Sequence, residues 1–298
     1  MKIVHLINAH KNLPQLERLV ARLSHDNAVF FIHLDRKVAD AEVAGVTAAT
    51  ARYNVHFVKE RVAVGWGGFS QVEAILNGLR EVLQSGIEFD YLNFLSGQDY
   101  PLQCNDSLLQ FLEESRGSEF MEYCELSRYG FGTELYRYEK YHLTEKILVS
   151  CTLRRWIERF LNRALPVRTA PLGYQVYAGS SWWTITAHCA RYIRDFLERN
   201  SEYARFFATT RSADEMFFQT IVMNSPFREQ VLNRNLHYLD WSEHGRSPKS
   251  LTGEDFLPML ASGRFFARKF DTETDATVLD MLDDHLAVES RRFSTGEG

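Results

Sequence analysis

Cysteine is scarce and poorly spaced for pairing: Cys104, Cys124, Cys151 and Cys189 stand 20, 27 and 38 residues apart in a chain of 298 residues. That spacing makes no CxxC pair and no metal-type cluster, so the four read as reduced thiols of a cytoplasmic protein. No run of eighteen apolar residues occurs, which excludes a spanning helix, and the opening MKIVHLINAHKN is too short and too polar to be a secretory leader. The net charge of −5 gives no general attraction for nucleic acid, and no nucleic-acid partner is expected. Neither GxGxxG after the first strand nor a Gly-x-x-x-x-Gly-Lys-Ser/Thr loop is present, and GxSxG and HExxH are missing too. Dinucleotide, P-loop, nucleophile-elbow and zincin chemistry all lose support.

What the chain does have is core material, with 45% hydrophobic and 24% charged residues, enough for one large or two small domains. Short apolar runs alternate with helix-period segments through the first hundred residues, the pattern of an α/β protein with a mostly parallel sheet. KIVHLINA opens as a strand, Asn12 and Pro14 start a helix with Leu16, Leu19, Val20 and Leu23 on one face, and residues 28–35 and 55–60 are further strands. Ser70 and Glu73 have capping-box spacing before a helix that Gly86 ends. Residues 90–102, DYLNFLSGQDYPL, are a buried strand whose Ser-Gly-Gln-Asp lies at a carboxyl end of the sheet, where open α/β sheets hold ligands. Beyond residue 105 the pattern is α+β, with strands expected at 119–126, 180–186 and 236–241 and a fraying tail from residue 291. The whole reads as a single domain, residues 1–104 making one half and 105–290 the other.

Three local patterns admit more than one use. SADEMFFQ, residues 212–219, has Ser-x-x-Glu before an apolar run, so Glu215 is either the reciprocal partner of a helix cap or a carboxylate general base beside aromatic residues. His33-Leu34-Asp35 is half a metal site or two side chains on one strand edge. Residues 152–168 mix five arginines with Trp156, Ile157, Phe160 and Leu161, which suits a membrane-surface helix, a hold on an anionic acceptor, or an ordinary helix with a solvated basic face.

From INAHKNLPQLERLVARL through FFIHLD, WGGFSQVEAILNGL, YLNFLSGQDYPL and GSSWWTIT to SADEMFFQTIVMNSPF and FFARKFD, the chain resembles the core-2/I-branching β-1,6-N-acetylglucosaminyltransferases and the peptide O-xylosyltransferases. The resemblance implies a GT-A-like fold, a Rossmann-type nucleotide-sugar half joined to an acceptor half, and inverting transfer of N-acetylglucosamine or xylose from a UDP-sugar to a hydroxyl. The acceptor is a glycan, a lipid-linked saccharide or a polysaccharide. No cofactor and no divalent metal are expected, because the strand that would carry Asp-x-Asp ends in Ser96-Gly97-Gln98-Asp99. Fixed cations must then hold the diphosphate, and by similarity these are Arg246 and Lys269, with Lys249 and Arg268 as neighbours able to trade roles. Glu215 is the implied catalytic base, with Asp214 beside it. His10, Asp35, Trp66 and Asp99 are expected around the donor, and Trp183, Asp240 and Trp241 around the acceptor. A nucleotidyltransferase on a similar sheet, or an inactive carbohydrate- or nucleotide-binding protein, remain the competing readings. Without anchor, stem or secretory cysteines, a cytoplasmic enzyme with peripheral membrane contact through residues 152–168 is the expected setting.

Overall fold

The computed structural model describes residues 1–126, 134–145, 150–245 and 247–295. β1 (Ile3–Ala9) and β2 (Ala28–Leu34) are almost wholly buried on both faces, as continuous apolar strands in a helix-covered sheet must be. Between them α1 (Leu13–Leu23) starts where Asn12 takes a left-handed conformation and Pro14 fills the first turn, and it buries Leu16, Leu19, Val20 and Leu23. α2 (Asp40–Thr50), β3 (Val55–Phe57), α3 (Ser70–Gln84), β4 (Tyr91–Ser96) and the short β5 (Tyr100–Pro101) follow. Gly86, with φ of 74°, turns the chain out of α3 as its placement predicts.

The second half adds α4 (Asn105–Glu114), β6 (Glu119–Met121), β7 (Cys124–Glu125), α5 (Tyr136–Glu139), α6 (Cys151–Ala164), β8 (Tyr177–Ala178) and β9 (Trp183–Thr186). Then come α7 (Ala187–Arg199), α8 (Ser201–Phe207), α9 (Phe217–Met223), β10 (Val231–Leu232), β11 (His237–Leu239), α10 (Phe256–Ala261), β12 (Phe266–Arg268) and α11 (Thr277–Thr295). The main sheet has the order β10-β6-β9-β4-β1-β2-β3, so strands of both halves share it. β1 is parallel to β2 and β4, and β2 to β3, while β9 runs antiparallel to both of its neighbours. β11, β12 and β5 make a second, three-stranded sheet beside the carboxyl end of β4.

Strand alternation sends Ile3 and Ile7 to a core shared with α1, α4 and α11, and Val4 and Leu6 to a core shared with α3, α7 and α9. α3 approaches β1 closely: a Cβ on Gly78 would lie 2.3 Å from Leu6 Cδ1. Polar groups cross the sheet interior only in pairs. Thr184 Oγ1 donates to Asn93 Oδ1 at 2.8 Å, and Asn93 Nδ2 meets His5 Nδ1 at 3.1 Å. Glu119, fully buried, accepts from the Thr186 amide and hydroxyl at 2.7 and 2.6 Å.

Two expectations are corrected, and one helix was missed. Ser70 is already inside α3, whose cap residue is Phe69, and the Glu73 amide bonds the Phe69 carbonyl, so no reciprocal box forms there. The tail is helical through Thr295 where fraying was expected from residue 291, because α11 packs Val278, Leu279, Leu282 and Leu286 into the first core. α2 carries no apolar stripe, burying only Val46 and Thr50, and its period gave no sign of a helix.

Candidate active site

The carboxyl ends of β1, β2 and β4 and the loop after β3 converge. Asp35, buried just past β2, accepts from the Lys37 amide at 2.8 Å and the Val64 amide at 3.1 Å, and His33 Nε2 accepts from the Val62 amide at 2.9 Å. His33 and Asp35 are therefore two fasteners for the loop leading to Trp66, and metal ligation by this pair is not what they do here. Burial pushes the His33 pKa down to about 4, consistent with a neutral acceptor nitrogen. Trp66 itself stands out at 61% exposure, an unpartnered indole face at the rim. His10, exposed just past β1, has a lowered pKa from partial burial and from Lys11, Lys37 and Arg268. Each of those cations has an acidic neighbour: Lys11 Nζ lies 2.6 Å from Asp271, Lys37 Nζ 3.3 Å from Asp35 and Arg268 Nε 3.1 Å from Asp99.

The Gly65–Ser70 turn is held from a distance. Gly65 N donates to Ser70 Oγ at 2.8 Å, and the Glu145 carboxylate takes the Ser70 amide at 2.9 Å and the Ser70 hydroxyl. An added Cβ at Gly65 or Gly68 would overlap the Glu145 carboxylate, so the glycines leave room for it. A carboxylate at the start of the 15-residue α3 is favoured by the helix dipole.

Asp99 lies at the end of β4 but is fully buried. It takes the Ser96 amide and hydroxyl at 2.8 and 2.7 Å, and faces His237 Nε2 at 3.4 Å and Arg268 Nε at 3.1 Å. Burial opposes its ionisation, and Arg268, His237 and Ser96 overcome that and hold its pKa below the usual carboxylate value. Its place is under the site floor, where it fixes Arg268. The Arg268 guanidinium in turn lies 3.9 Å from the Trp182 ring centre. Trp183, expected at the acceptor, is instead 1% exposed, packed between Phe94 and Phe218. Trp182, half-buried just before β9, stacks on the same Phe94 ring at 5.1 Å, so both tryptophans pack on the second core and Trp182 also carries the contact with Arg268.

Glu215 answers the question its sequence raises, because the cap is not made. Ser212 has a left-handed backbone and its hydroxyl caps nothing, while the amide of Glu215 bonds the Ser212 carbonyl. The Glu215 carboxylate meets Arg137 Nη2 at 2.5 Å and remains 41% exposed. Arg137, largely buried, also donates to the Ser212 carbonyl at 3.1 Å and to Glu134 at 2.9 Å. The Ser212 amide bonds the Gly67 carbonyl at 2.9 Å, and the Gly179 amide bonds the Glu215 carbonyl at 2.8 Å. The loop carrying Glu215 is thus laced to the Trp66 loop on one side and to the strand-entry segment of Trp182 on the other. Asp214, buried beside it, accepts from Ser181 Oγ at 2.7 Å, and burial followed by Glu215 pushes its pKa up to about 6.

Lys269 Nζ donates to Ser247 Oγ at 2.9 Å; burial, Arg268 and Lys11 lower its pKa. Arg246 lies outside the described residues. Lys249 is paired with Asp255 at 2.8 Å and Arg268 is committed to Asp99 and Trp182, so neither is interchangeable with Lys269. Asp240 and Trp241 occupy the loop after β11, which also carries Ser247. Asp240 accepts from the Ser242 amide and Trp241 is half exposed, and among the described residues no hydrogen bond joins either to the Glu215 loop. Asp275 accepts from the Gly253 and Thr277 amides at the head of α11. Sequence reasoning missed Arg137 and Glu145, which act on residues 78 and 75 positions away along the chain.

The profile of the Core-2/I-branching enzymes matches residues 3–260. Curated relatives include xylosyltransferase 2 of Rattus norvegicus, 27% identical over 96% of this chain and 34% of the rat protein, and xylosyltransferase 1 of Mus musculus, 24% identical over 96% of this chain and 31% of the mouse protein. The chain spans about a third of the length of these relatives. Among solved structures, mouse xyloside xylosyltransferase 1 aligns with a TM-score of 0.40 and 13% identity, covering 89% of this chain and 97% of that one.

Proposed function

Because the chain belongs to the Core-2/I-branching enzyme family, we propose that it is an inverting glycosyltransferase that moves a sugar from a UDP-sugar to a hydroxyl of a glycan or related acceptor. The observation that carries this reading is the half-exposed Glu215 carboxylate, held by Arg137 on a loop tied to the Trp66 turn at the carboxyl end of the parallel strands. A carboxylate spent on a helix cap could not act on a substrate; this one is paired with Arg137 and stays 41% exposed. In the reading, Glu215 takes the proton of the acceptor hydroxyl as its oxygen attacks the anomeric carbon, and the bond from that carbon to UDP breaks on the opposite side. Trp66 offers its ring to the uracil, and the Asp35-fastened loop sets the position of that ring.

The negative charge that gathers on UDP needs preorganised cations. Lys269, whose Nζ bonds the Ser247 hydroxyl, is the cation offered to the departing diphosphate, with Lys11 and Arg268 near it but each paired with an acid. Asp99, the carboxylate after β4, is already engaged with Ser96, Arg268 and His237, which suits it poorly to hold a divalent ion. The transferred sugar in this reading is xylose or N-acetylglucosamine, and the relatives' names favour xylose. The test is release of UDP from UDP-xylose and UDP-N-acetylglucosamine with a panel of saccharide acceptors, with products identified by mass spectrometry. Transfer from at least one donor is expected; binding of UDP without turnover of either would return the chain to a binding role.

A further inference from the structure

Helix α6 sits on the protein by its polar side. Arg154 Nη1 donates to the Thr144 carbonyl at 3.0 Å and Glu158 accepts from the Leu143 amide at 2.7 Å. Asn162 accepts from the Tyr141 amide at 2.7 Å and donates to the Tyr141 carbonyl at 3.0 Å. Residues 154, 158 and 162 recur every fourth position, so one polar stripe faces the segment 141–144. The apolar side points away: Trp156 is 62% and Phe160 70% exposed, with Leu153 half exposed beside them. Arg155, Arg159 and Arg163 flank that side in solvent, and the Arg159 guanidinium lies 5.0 Å from the Trp156 ring centre. Glu158, the only acid in the helix, is turned inward. An ordinary surface helix has the reverse arrangement, apolar stripe to the core and charges to water.

We propose that α6 is a membrane-surface helix, which seats Leu153, Trp156 and Phe160 in the interface of an anionic bilayer while Arg155, Arg159 and Arg163 meet the lipid phosphates. Charge complementarity identifies the occupant: a ridge of three outward arginines without an acid stands on a chain of net charge −5, so attraction to an anionic surface is local and oriented. The apolar residues form a convex ridge with arginine stems beside it, the shape of an interfacial seat. Segment 141–144 under the helix continues from α5, which carries Arg137, the partner of Glu215. Seating α6 would therefore fix how the site faces the surface. This inference stands on α6 alone and does not require the transferase reading.

The experiment is cosedimentation of the full chain with phosphatidylcholine vesicles, with and without phosphatidylglycerol. Binding is expected only with the anionic lipid and at low salt, and should disappear near 1 M salt, where the screening length falls to about 3 Å. Replacing Arg155, Arg159 and Arg163 together by Gln should weaken binding about fivefold per arginine removed. Trp156→Ser with Phe160→Ser should abolish it with an unchanged melting temperature, since these side chains lie in solvent. No binding to anionic vesicles at low salt, or binding unaffected by either variant, would overturn the proposal. Lipid-independent self-association that Trp156→Ser with Phe160→Ser removes, without vesicle binding, would assign the face to a second copy and also overturn it.

Discussion

Single side chains at the site fall into those that hold and those that are held. Asp99, Asp35 and His33 spend their polar atoms on buried neighbours, while Trp66 is exposed, Glu215 is partly exposed in its pair with Arg137, and Lys269 bonds the Ser247 hydroxyl. Lys269 is the cation the account places at the diphosphate, so Lys269→Ala should weaken UDP by on the order of 1.5–3 kcal/mol while leaving uridine nearly unchanged, measured by titration calorimetry. Equal losses for both would remove Lys269 from the phosphates. A second prediction concerns Glu119, whose burial pushes its pKa up to about 7 against the two Thr186 hydrogen bonds. A carboxyl with a raised folded-state pKa binds its proton more tightly when folded, so stability falls as pH rises from about 4.5 through 7. Glu119→Gln lacks this term. The urea midpoint of the variant should therefore decline less than that of the wild type between pH 5 and 8; parallel curves would show that Glu119 ionises without cost.

Elements explain which parts of this site were legible in the sequence. The parallel strands and their helices follow from local period and punctuation, and they put His10, Asp35 and Asp99 at the strand ends as expected. The Ser70-x-x-Glu73 pattern misled, and the Ser212-x-x-Glu215 pattern left cap and base open, because local spacing does not show the long-range partners that claim the side chains: Glu145 at Ser70, and Arg137 at Glu215. The adjacent tryptophans were recognisable as a strand, but their shared packing on Phe94 of β4 is a long-range contact that local period does not show. Glu145 acts as a cap supplied from the other half, so Glu145→Ala should cost about 1 kcal/mol of stability in urea unfolding. Two glycines sharpen the contrast. Gly68→Ala meets only the mobile end of Glu145 and should cost about as much as losing that carboxylate, whereas a Cβ at Gly179 would lie 1.9 Å from the Glu122 backbone oxygen and has nothing soft to displace. Gly179→Ala should be much the more destabilising; the reverse order would contradict the packing.

At the scale of the whole molecule, strands of both halves share the main sheet, the Ser212–Gly67 hydrogen bond joins the Glu215 loop to the Trp66 turn, and Lys269 follows β12 of the second sheet. Among the described residues no group of three or more His, Cys, Asp or Glu side chains could hold a metal, and no helix is long and apolar enough to cross a membrane. With Asp99 engaged and Lys269 as the diphosphate cation, UDP binding and turnover should survive excess EDTA, and activity lost on chelation and restored by manganese would overturn that part of the account. The central claim, that Glu215 is the base of a transfer reaction, rests on one comparison. In Glu215→Gln the amide keeps the shape of the side chain but cannot take a proton, so UDP affinity and melting temperature should stay close to wild type while turnover of the UDP-sugar falls roughly 10²–10⁴-fold. Near-normal turnover in that variant, with UDP binding intact, would contradict it.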